Sequence, residues 1–298
     1  MASKFPAWLR RPWASGNDFG ITKDIVDDFK LHTVCQSANC PNIGECWAKG
    51  TATVMVLGNT CTRNCTFCSV DSGKPTFDDP LEPQSVAQAV QRMQLKHAVV
   101  TTVVRDDLPD GGAKHIADTI SGIHELNPGT TVEILVSDFA GDRKAIQTVL
   151  AAAPEIFCHN IETVERLYPK VRDRRFTYES ALSVLTMARE MAPRTIVKSA
   201  LMLGLGEDEE DIKATLNDLL EAGCEAVCIG QYLRPSAQQA EVQSFIHPDQ
   251  FAAYEELAYE MGFSYAVCGP FVRSSYKSEA VLETAFARER LGLDATSV

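Results

Sequence analysis

Six of the chain's ten cysteines fall in the 34 residues from Cys35 to Cys68, as two triplets. Cys35, Cys40 and Cys46 are spaced C-x4-C-x5-C, and Cys61, Cys65 and Cys68 are spaced C-x3-C-x2-C. Thiolates are soft ligands that select iron–sulfur clusters, zinc or Cu(I). A triplet is one thiolate short of a closed four-cysteine site, so a cluster held by it keeps one iron open to another ligand. The rest of the chain has to wrap two such centres and supply what fills their open corners.

With 298 residues the chain is long enough for one large α/β domain. The longest apolar runs are of strand length, well short of the ~18 residues of a membrane span. MASKFPAWLRRPW has neither the apolar core nor the cleavage site of a secretory signal. A net charge of −12 argues against nucleic-acid binding, while leaving room for a basic docking patch at Arg172, Arg174 and Arg175. Ten cysteines without a signal segment suit a reducing compartment, where thiols bind metal rather than pair as disulfides. The expected location is the cytoplasm.

Beyond an extension carrying a short helix over 24–29, the chain alternates. Strands are expected over 51–58, 98–104, 131–136, 155–158, 195–203, 226–230 and 265–268. Helices are expected over 84–95, 114–126, 143–152, 162–167, 178–191, 212–222 and 248–261. Such alternation means parallel strands with right-handed crossovers. About six βα units fit a partial (β/α)6 TIM-like barrel better than a closed eightfold one, with an open Rossmann-like sheet as the alternative. The expected organisation is an N-terminal extension over 1–50, a barrel over 51–270 and a tail over 271–298. In such folds ligands lie beyond the C-terminal ends of the strands, and the second triplet follows the first of these strands directly.

Three thiolates on a tight loop can hold three irons of a [4Fe–4S] cube, and the fourth iron can chelate the amino and carboxylate groups of a small amino acid. Zinc completed from elsewhere is the alternative, although the spacing is irregular for a zinc ribbon. Phe67 stands beside Cys68 and is placed to shield a cluster face. Gly111 and Gly112 permit close backbone approach to a ligand, or form a simple turn. Asn160 and Glu162 suit ribose hydroxyls or an amino group, or cap the helix that follows. Lys198 is costly inside a strand unless paired, so it is either a site residue or a solvated one. Gln231 and Tyr232 end a strand and suit the border of an adenine.

The second triplet, with an aromatic before its last cysteine and a strand ahead of it, resembles the signature of the radical S-adenosylmethionine (SAM) superfamily. With CPNIGECW, RDDLPDGGA, HNIETVERLYPKVRD, GLGE, GQYLRPS and GPFVRSSY, the chain resembles the lipoyl synthase family from about Phe5 to Tyr276. The resemblance implies SAM on the open iron of the second cluster, cleaved reductively to a hydrogen-abstracting 5′-deoxyadenosyl radical. It implies an auxiliary [4Fe–4S] cluster on Cys35, Cys40 and Cys46, with Ser275 on its fourth iron. It implies a sulfurtransferase that inserts sulfur at C6 and C8 of an octanoyl chain on a carrier-protein lysine, consuming the auxiliary cluster. The carrier would be a dehydrogenase-complex acyltransferase subunit or the glycine-cleavage H protein. A flavodoxin or ferredoxin would supply electrons, and an iron–sulfur carrier would rebuild the cluster. A serine oxygen is a harder match to iron than thiolate, so its iron is the easiest to detach.

Several positions depart from the family pattern. Ala200 stands for the glycine of KSG, Ser137 for the proline of P-D-F, Cys158 where N-H-N would begin, and Cys228 for a threonine. In PSAQQAEVQSF, Gln239, Glu241 and Ser244 replace a histidine, a proline and an arginine, which bears on the acyl or carrier site. Cys158, Cys224, Cys228 and Cys268 lack metal spacing and read as small buried hydrophobes. Two rivals stand beside a lipoyl synthase: a paralogue that thiolates another acyl or carrier substrate, and a non-catalytic iron–sulfur carrier or sensor.

Overall fold

The computed structural model describes residues 5–10, 17–76 and 79–292. The outermost parts of the expected extension and tail, 1–4 and 293–298, lie outside the described residues, as do 11–16 and 77–78. The strands are β1 (His32–Thr33), β2 (Thr53–Val56), β3 (Thr60–Cys61), β4 (Asp71–Ser72) and β5 (His97–Thr102). They continue as β6 (Thr131–Leu135), β7 (Ile156–Cys158), β8 (Ile196–Leu203), β9 (Ala226–Gln231) and β10 (Tyr265–Gly269).

One sheet takes β1-β2-β5-β6-β7-β8-β9-β10 in that order, and β3 pairs with β4 separately. From β2 to β10 every pairing in the large sheet is parallel, and β1 adds an antiparallel edge on β2. Crossover helices Glu82–Met93, Ala113–Leu126, Arg143–Ala151, Tyr178–Met191, Glu209–Glu221 and Pro248–Met261 join the successive parallel strands. Strand order thus follows chain order, as in a (β/α) barrel left open. β2 and β9 are buried at every position, the pattern of parallel strands covered on both faces.

Local chemistry sets the helix ends. Thr177 and Ser180 form a reciprocal capping box, and so do Asp208 and Asp211. Glu209, Glu210 and Asp211 place negative charge in the first turn, where the helix dipole favours it.

Two expected elements differ. The helix expected over 24–29 runs Asn17–Asp28, because Ile25 and Val26 pack inward and the Thr22 hydroxyl donates to the Trp47 carbonyl at 2.7 Å. That packing overrides Gly20, a poor helix former within the element. The helix expected from 162 is replaced by a 3-10 turn at Glu165–Leu167 and a short helix Tyr168–Val171. Glu162 has a φ of 67° and bridges to Leu201 beside β8, so it cannot begin a helix.

The tail fills the interior of the open barrel. Val272 packs on Ala200 and Cys228 near the middle of the strands. Val281, Leu282 and Ala287 pack on Ile156, Ile196 and Ala226, at the opposite ends of the strands from the cysteine loops. Between these layers lies a buried polar group. The Lys198 ammonium donates to both Glu133 oxygens at 3.0 and 2.8 Å, and His97 Nε2 stands 2.9 Å from the Ser278 hydroxyl. Among the described residues no helix is long and apolar enough to cross a membrane.

Candidate active site

β2 delivers the chain into a turn at Leu57, whose φ is 68°. Its N–H donates to the Glu82 carboxylate at 2.8 Å and its carbonyl accepts from Arg105 at 3.3 Å. His115 holds Glu82 in turn at 2.7 Å. The loop that follows carries Cys61, Cys65 and Cys68. Backbone N–H groups of Arg63 and Val104 donate to the Cys61 sulfur at 3.4 Å each, and that of Asp173 to the Cys65 sulfur at 3.3 Å.

The same loop is braced by Arg63, which is buried between the first two cysteines of the triplet. Its guanidinium pairs with Asp106 at 2.8 Å and Asp138 at 2.9 Å, and lies 4.0 Å from the centre of the Phe176 ring. Arg172 lies 3.7 Å from the same ring and 5.9 Å from that of Phe67. Of the three arginines that left room for a basic patch, Arg174 and Arg175 are exposed and Arg172 is not. Arg172 faces inward, and Arg175 pairs with Asp106 and Asp173.

A cavity of about 930 Å³ opens over the strand ends. Cys61, Cys65, Cys68 and Phe67 line it, and so do Cys35, Cys40 and Ser275. Cys46 stands behind them on the short helix Ile43–Ala48. All ten cysteines are free. Burial pushes the Cys46 thiol up to about 12 and that of Cys68 to about 11, and raises Cys35 and Cys65 as well. Left bare they are protonated at neutral pH, and a bound metal is what draws the protons off. Among the described residues no three His, Cys, Asp or Glu side chains converge as the ligands of one ion do. A four-iron cube asks for no such convergence, since each cysteine binds its own iron.

Asn160, Glu162, Gln231 and Tyr232 line this cavity too. The Asn160 amide donates to Glu162 at 3.2 Å, and Arg172 stands 3.9 Å from the Glu162 carboxylate. Burial raises the Glu162 carboxyl above its ordinary range, against the opposing pull of Arg172 and Asn160. Its left-handed backbone is held by an N–H donated to Ala200 and a carbonyl accepting from Met202. The Gln231 amide is taken up by the carbonyls of Leu203, Tyr232 and Ser244 and by the Ile246 N–H. Tyr232 donates its hydroxyl to Ala240 at 2.9 Å. Both therefore offer the cavity apolar surface rather than free polar atoms.

Three expected ligand contacts are not at the cavity. Lys198 is fully buried within the barrel and paired with Glu133, neither solvated nor facing the cavity. A side-chain carbon on Gly112 would meet the Leu57 side chain at 2.3 Å, and one on Gly111 would meet Phe139 at 3.0 Å. These glycines make room for two hydrophobic side chains, and Gly112 thereby supports the turn that leads into the second triplet. Gly111 lines a separate cavity of about 330 Å³.

The sequence reading passed over His159, which is buried on the cavity wall. Its Nδ1 meets the Val136 carbonyl at 2.9 Å, whereas its Nε2 has no protein partner among the described residues, nor has the Arg172 Nε. Burial lowers the His159 imidazole to about 4, so it is neutral. Buried, unpartnered polar atoms on a cavity wall fit a polar ligand beside the second triplet. The adjacency of His159 to Asn160 at a strand end was the available signal.

The divergent loop folds onto the second triplet rather than standing free. The Gln239 amide donates to the Cys68 carbonyl at 3.2 Å, and the Ala240 N–H to that of Thr66 at 2.8 Å. Cys158, Cys224 and Cys228 are buried as small apolar side chains, and Cys268 is half-buried.

Ser275 follows β10 in a loop that crosses β9 at Gly230. A side-chain carbon on Gly230 would sit 2.1 Å from the Val272 carbonyl oxygen. Gly230→Ala is accordingly expected to cost about 1–3 kcal/mol by overpacking. Denaturant unfolding checks this, and an unchanged midpoint would contradict it.

A model of the radical SAM superfamily matches residues 55–219. The lipoyl synthase of Thermus thermophilus is 50% identical over 284 residues, covering 95% of this chain and 88% of that protein. That of Protochlamydia amoebophila is 50% identical over 291 residues, 97% and 90% of the two chains. The mitochondrial lipoyl synthase of Zygosaccharomyces rouxii is 46% identical over 294 residues, 96% and 76%. Among solved structures, the FeFe-hydrogenase maturase HydG from Carboxydothermus hydrogenoformans superposes with a TM-score of 0.53 at 13% identity, over 92% of this chain and 83% of that one. Streptococcus suis SuiB bound to S-adenosylmethionine gives 0.56 at 9% identity, over 76% and 53%. At those identities the structures speak to the fold alone.

Proposed function

The chain belongs to the lipoyl synthase family of the radical SAM superfamily, and on that footing we propose how its residues divide the work. Its activity is the insertion of two sulfur atoms, at C6 and C8, into a carrier-bound octanoyl-lysine, with [4Fe–4S] clusters and SAM as cofactors. Bound in the cavity, these groups would supply radical chemistry at the second triplet, on Cys61, Cys65 and Cys68, and sulfide at the first, on Cys35, Cys40 and Cys46.

Cys61, Cys65 and Cys68 hold the radical-generating cluster, on a loop fixed by Arg63. Cys35, Cys40, Cys46 and Ser275 hold the auxiliary one. Asn160, Glu162 and His159 orient SAM, while Phe67, Gln231 and Tyr232 close its flanks against water. The extension (1–50) and the tail (271–298) are the parts that frame the barrel (51–270) for the auxiliary cluster. The observation that carries this reading is that Cys35 and Cys40, the whole second triplet and Ser275 line one cavity. A non-catalytic carrier has no need of cysteines from two triplets on one shared cavity.

The octanoyl carrier is a dehydrogenase-complex acyltransferase subunit or the glycine-cleavage H protein. A flavodoxin or ferredoxin supplies one electron per SAM, and an iron–sulfur carrier restores the auxiliary cluster. The cytoplasm is the proposed compartment, a setting that suits ten free thiols. The test is anaerobic: reconstituted protein, SAM, dithionite and an octanoylated carrier peptide, followed by mass. A peptide that gains two sulfurs supports the reading. Deoxyadenosine formed without peptide thiolation points to a different acyl substrate, and no SAM cleavage refutes the assignment of the second triplet.

A further inference from the structure

The loop that carries Ser275 is pinned on both sides, and two of its four pins come from the segment that carries the first triplet. Before the serine, the Phe271 carbonyl accepts from the Asn42 amide at 2.7 Å, and the Val272 carbonyl sits against Gly230. After it, the Tyr276 hydroxyl donates to both oxygens of Glu45, at 3.3 and 3.2 Å, and Ser278 meets His97 at 2.9 Å. Asn42 and Glu45 both lie between Cys40 and Cys46. The Asn42 and Glu45 contacts join residues about 230 positions apart and bracket Ser275, itself on the cavity wall with Cys35 and Cys40.

We propose that Tyr276 and Glu45 are positioning residues, a clamp that holds the Ser275 oxygen against the iron left open by Cys35, Cys40 and Cys46. The inference rests on the auxiliary-site reading above. A serine oxygen is a weaker match to iron than thiolate, so its hold depends more on being kept in place. A loop free to swing would dilute it at the iron, whereas a loop fixed on both flanks returns it after each departure. Outer partners of metal ligands typically contribute 10–100-fold in affinity. The clamp is built from the cysteine segment itself, so it ties the serine loop to the segment that carries the other three ligands. Its geometry also allows a graded test, because the amide oxygen introduced by Glu45→Gln still accepts from the Tyr276 hydroxyl.

Iron release to a ferrous chelator is measured on full-length protein carrying Cys61→Ala/Cys65→Ala/Cys68→Ala, so that only the first triplet is observed. Tyr276→Phe and Glu45→Ala are expected to release iron about ten times faster than this parent. Glu45→Gln is expected to stay near the parent rate. In a Ser275→Ala background, already fast, Tyr276→Phe is expected to add little, because the clamp acts through the serine. Equal acceleration with and without Ser275 would overturn the proposal, marking the contact as general stabilisation, and so would unchanged release in Tyr276→Phe. Failure of the parent to hold iron would instead overturn the auxiliary-site reading.

Discussion

Cys61→Ala/Cys65→Ala/Cys68→Ala is expected to abolish reductive SAM cleavage and lower iron from roughly eight per chain to roughly four, one cube being lost. Cys35→Ala/Cys40→Ala/Cys46→Ala is expected to lose the same amount of iron, keep SAM cleavage and form no thiolated product. The two effects should separate because the loops lean on largely different partners, the Ser69 hydroxyl donating to the Ser37 carbonyl being the bond between them. The second triplet is held by the Arg63 pairs with Asp106 and Asp138 and by the Glu82 and Arg105 bonds at Leu57. The first leans on helix Asn17–Asp28 through Trp47 and on the tail through Asn42 and Glu45. Iron analysis and deoxyadenosine assays on the two variants check this. SAM cleavage surviving in the first variant, or unchanged iron in the second, would contradict it.

Lys198→Met is expected to destabilise the fold by about 3–5 kcal/mol, because it takes the ammonium away from the buried Glu133 carboxylate. Lys198→Met/Glu133→Leu is expected to recover most of that loss, since apolar side chains of similar volume replace a buried pair at little cost. Burial alone would lower the Lys198 ammonium, but Glu133 outweighs it and leaves it raised. Burial alone would raise the Glu133 carboxyl, but Lys198 and His97 outweigh it and leave it lowered. A raised lysine contributes stability below its unfolded value and loses it as pH climbs through the folded one. A lowered carboxylate contributes above its unfolded value and loses it as pH falls through the folded one. The pair thus acts fully between about pH 4.3 and 10.4. Denaturant unfolding of the three proteins at neutral pH tests this. A single variant as stable as the parent, or a double variant as unstable as the single, would contradict it.

The strand-helix alternation was legible because each parallel strand is a short apolar run and each helix has its own caps. Helices Tyr178–Met191 and Pro248–Met261 match their expected ends. The cysteine loops were legible from spacing alone. The partner proposed for the first triplet was not: Ser275 lies about 230 residues away, and only the family resemblance of GPFVRSSY connects them. Lys198 was misjudged because its partner is in another strand, although a glutamate inside the apolar run of β6 was the visible counterpart. Gly111 and Gly112 were assigned to a ligand because a glycine pair shows that space is needed and not what fills it; the Leu57 and Phe139 side chains do. The inward turn of Arg172 was hidden in the same way. Arg172 and Arg175 are close in sequence, but one turns to Phe176 and Glu162 and the other to Asp106 and Asp173.

We propose that the first triplet and Ser275 hold the sulfur that is transferred, while the second triplet generates the radical. The most direct test is a single turnover of protein reconstituted with sulfide enriched in a heavy sulfur isotope, freed of excess sulfide and given SAM, reductant and octanoylated peptide. The expected product carries two heavy sulfurs, with one cluster's iron lost per product formed. Product bearing unlabelled sulfur, or labelled product formed by the Cys35→Ala/Cys40→Ala/Cys46→Ala variant, would contradict it.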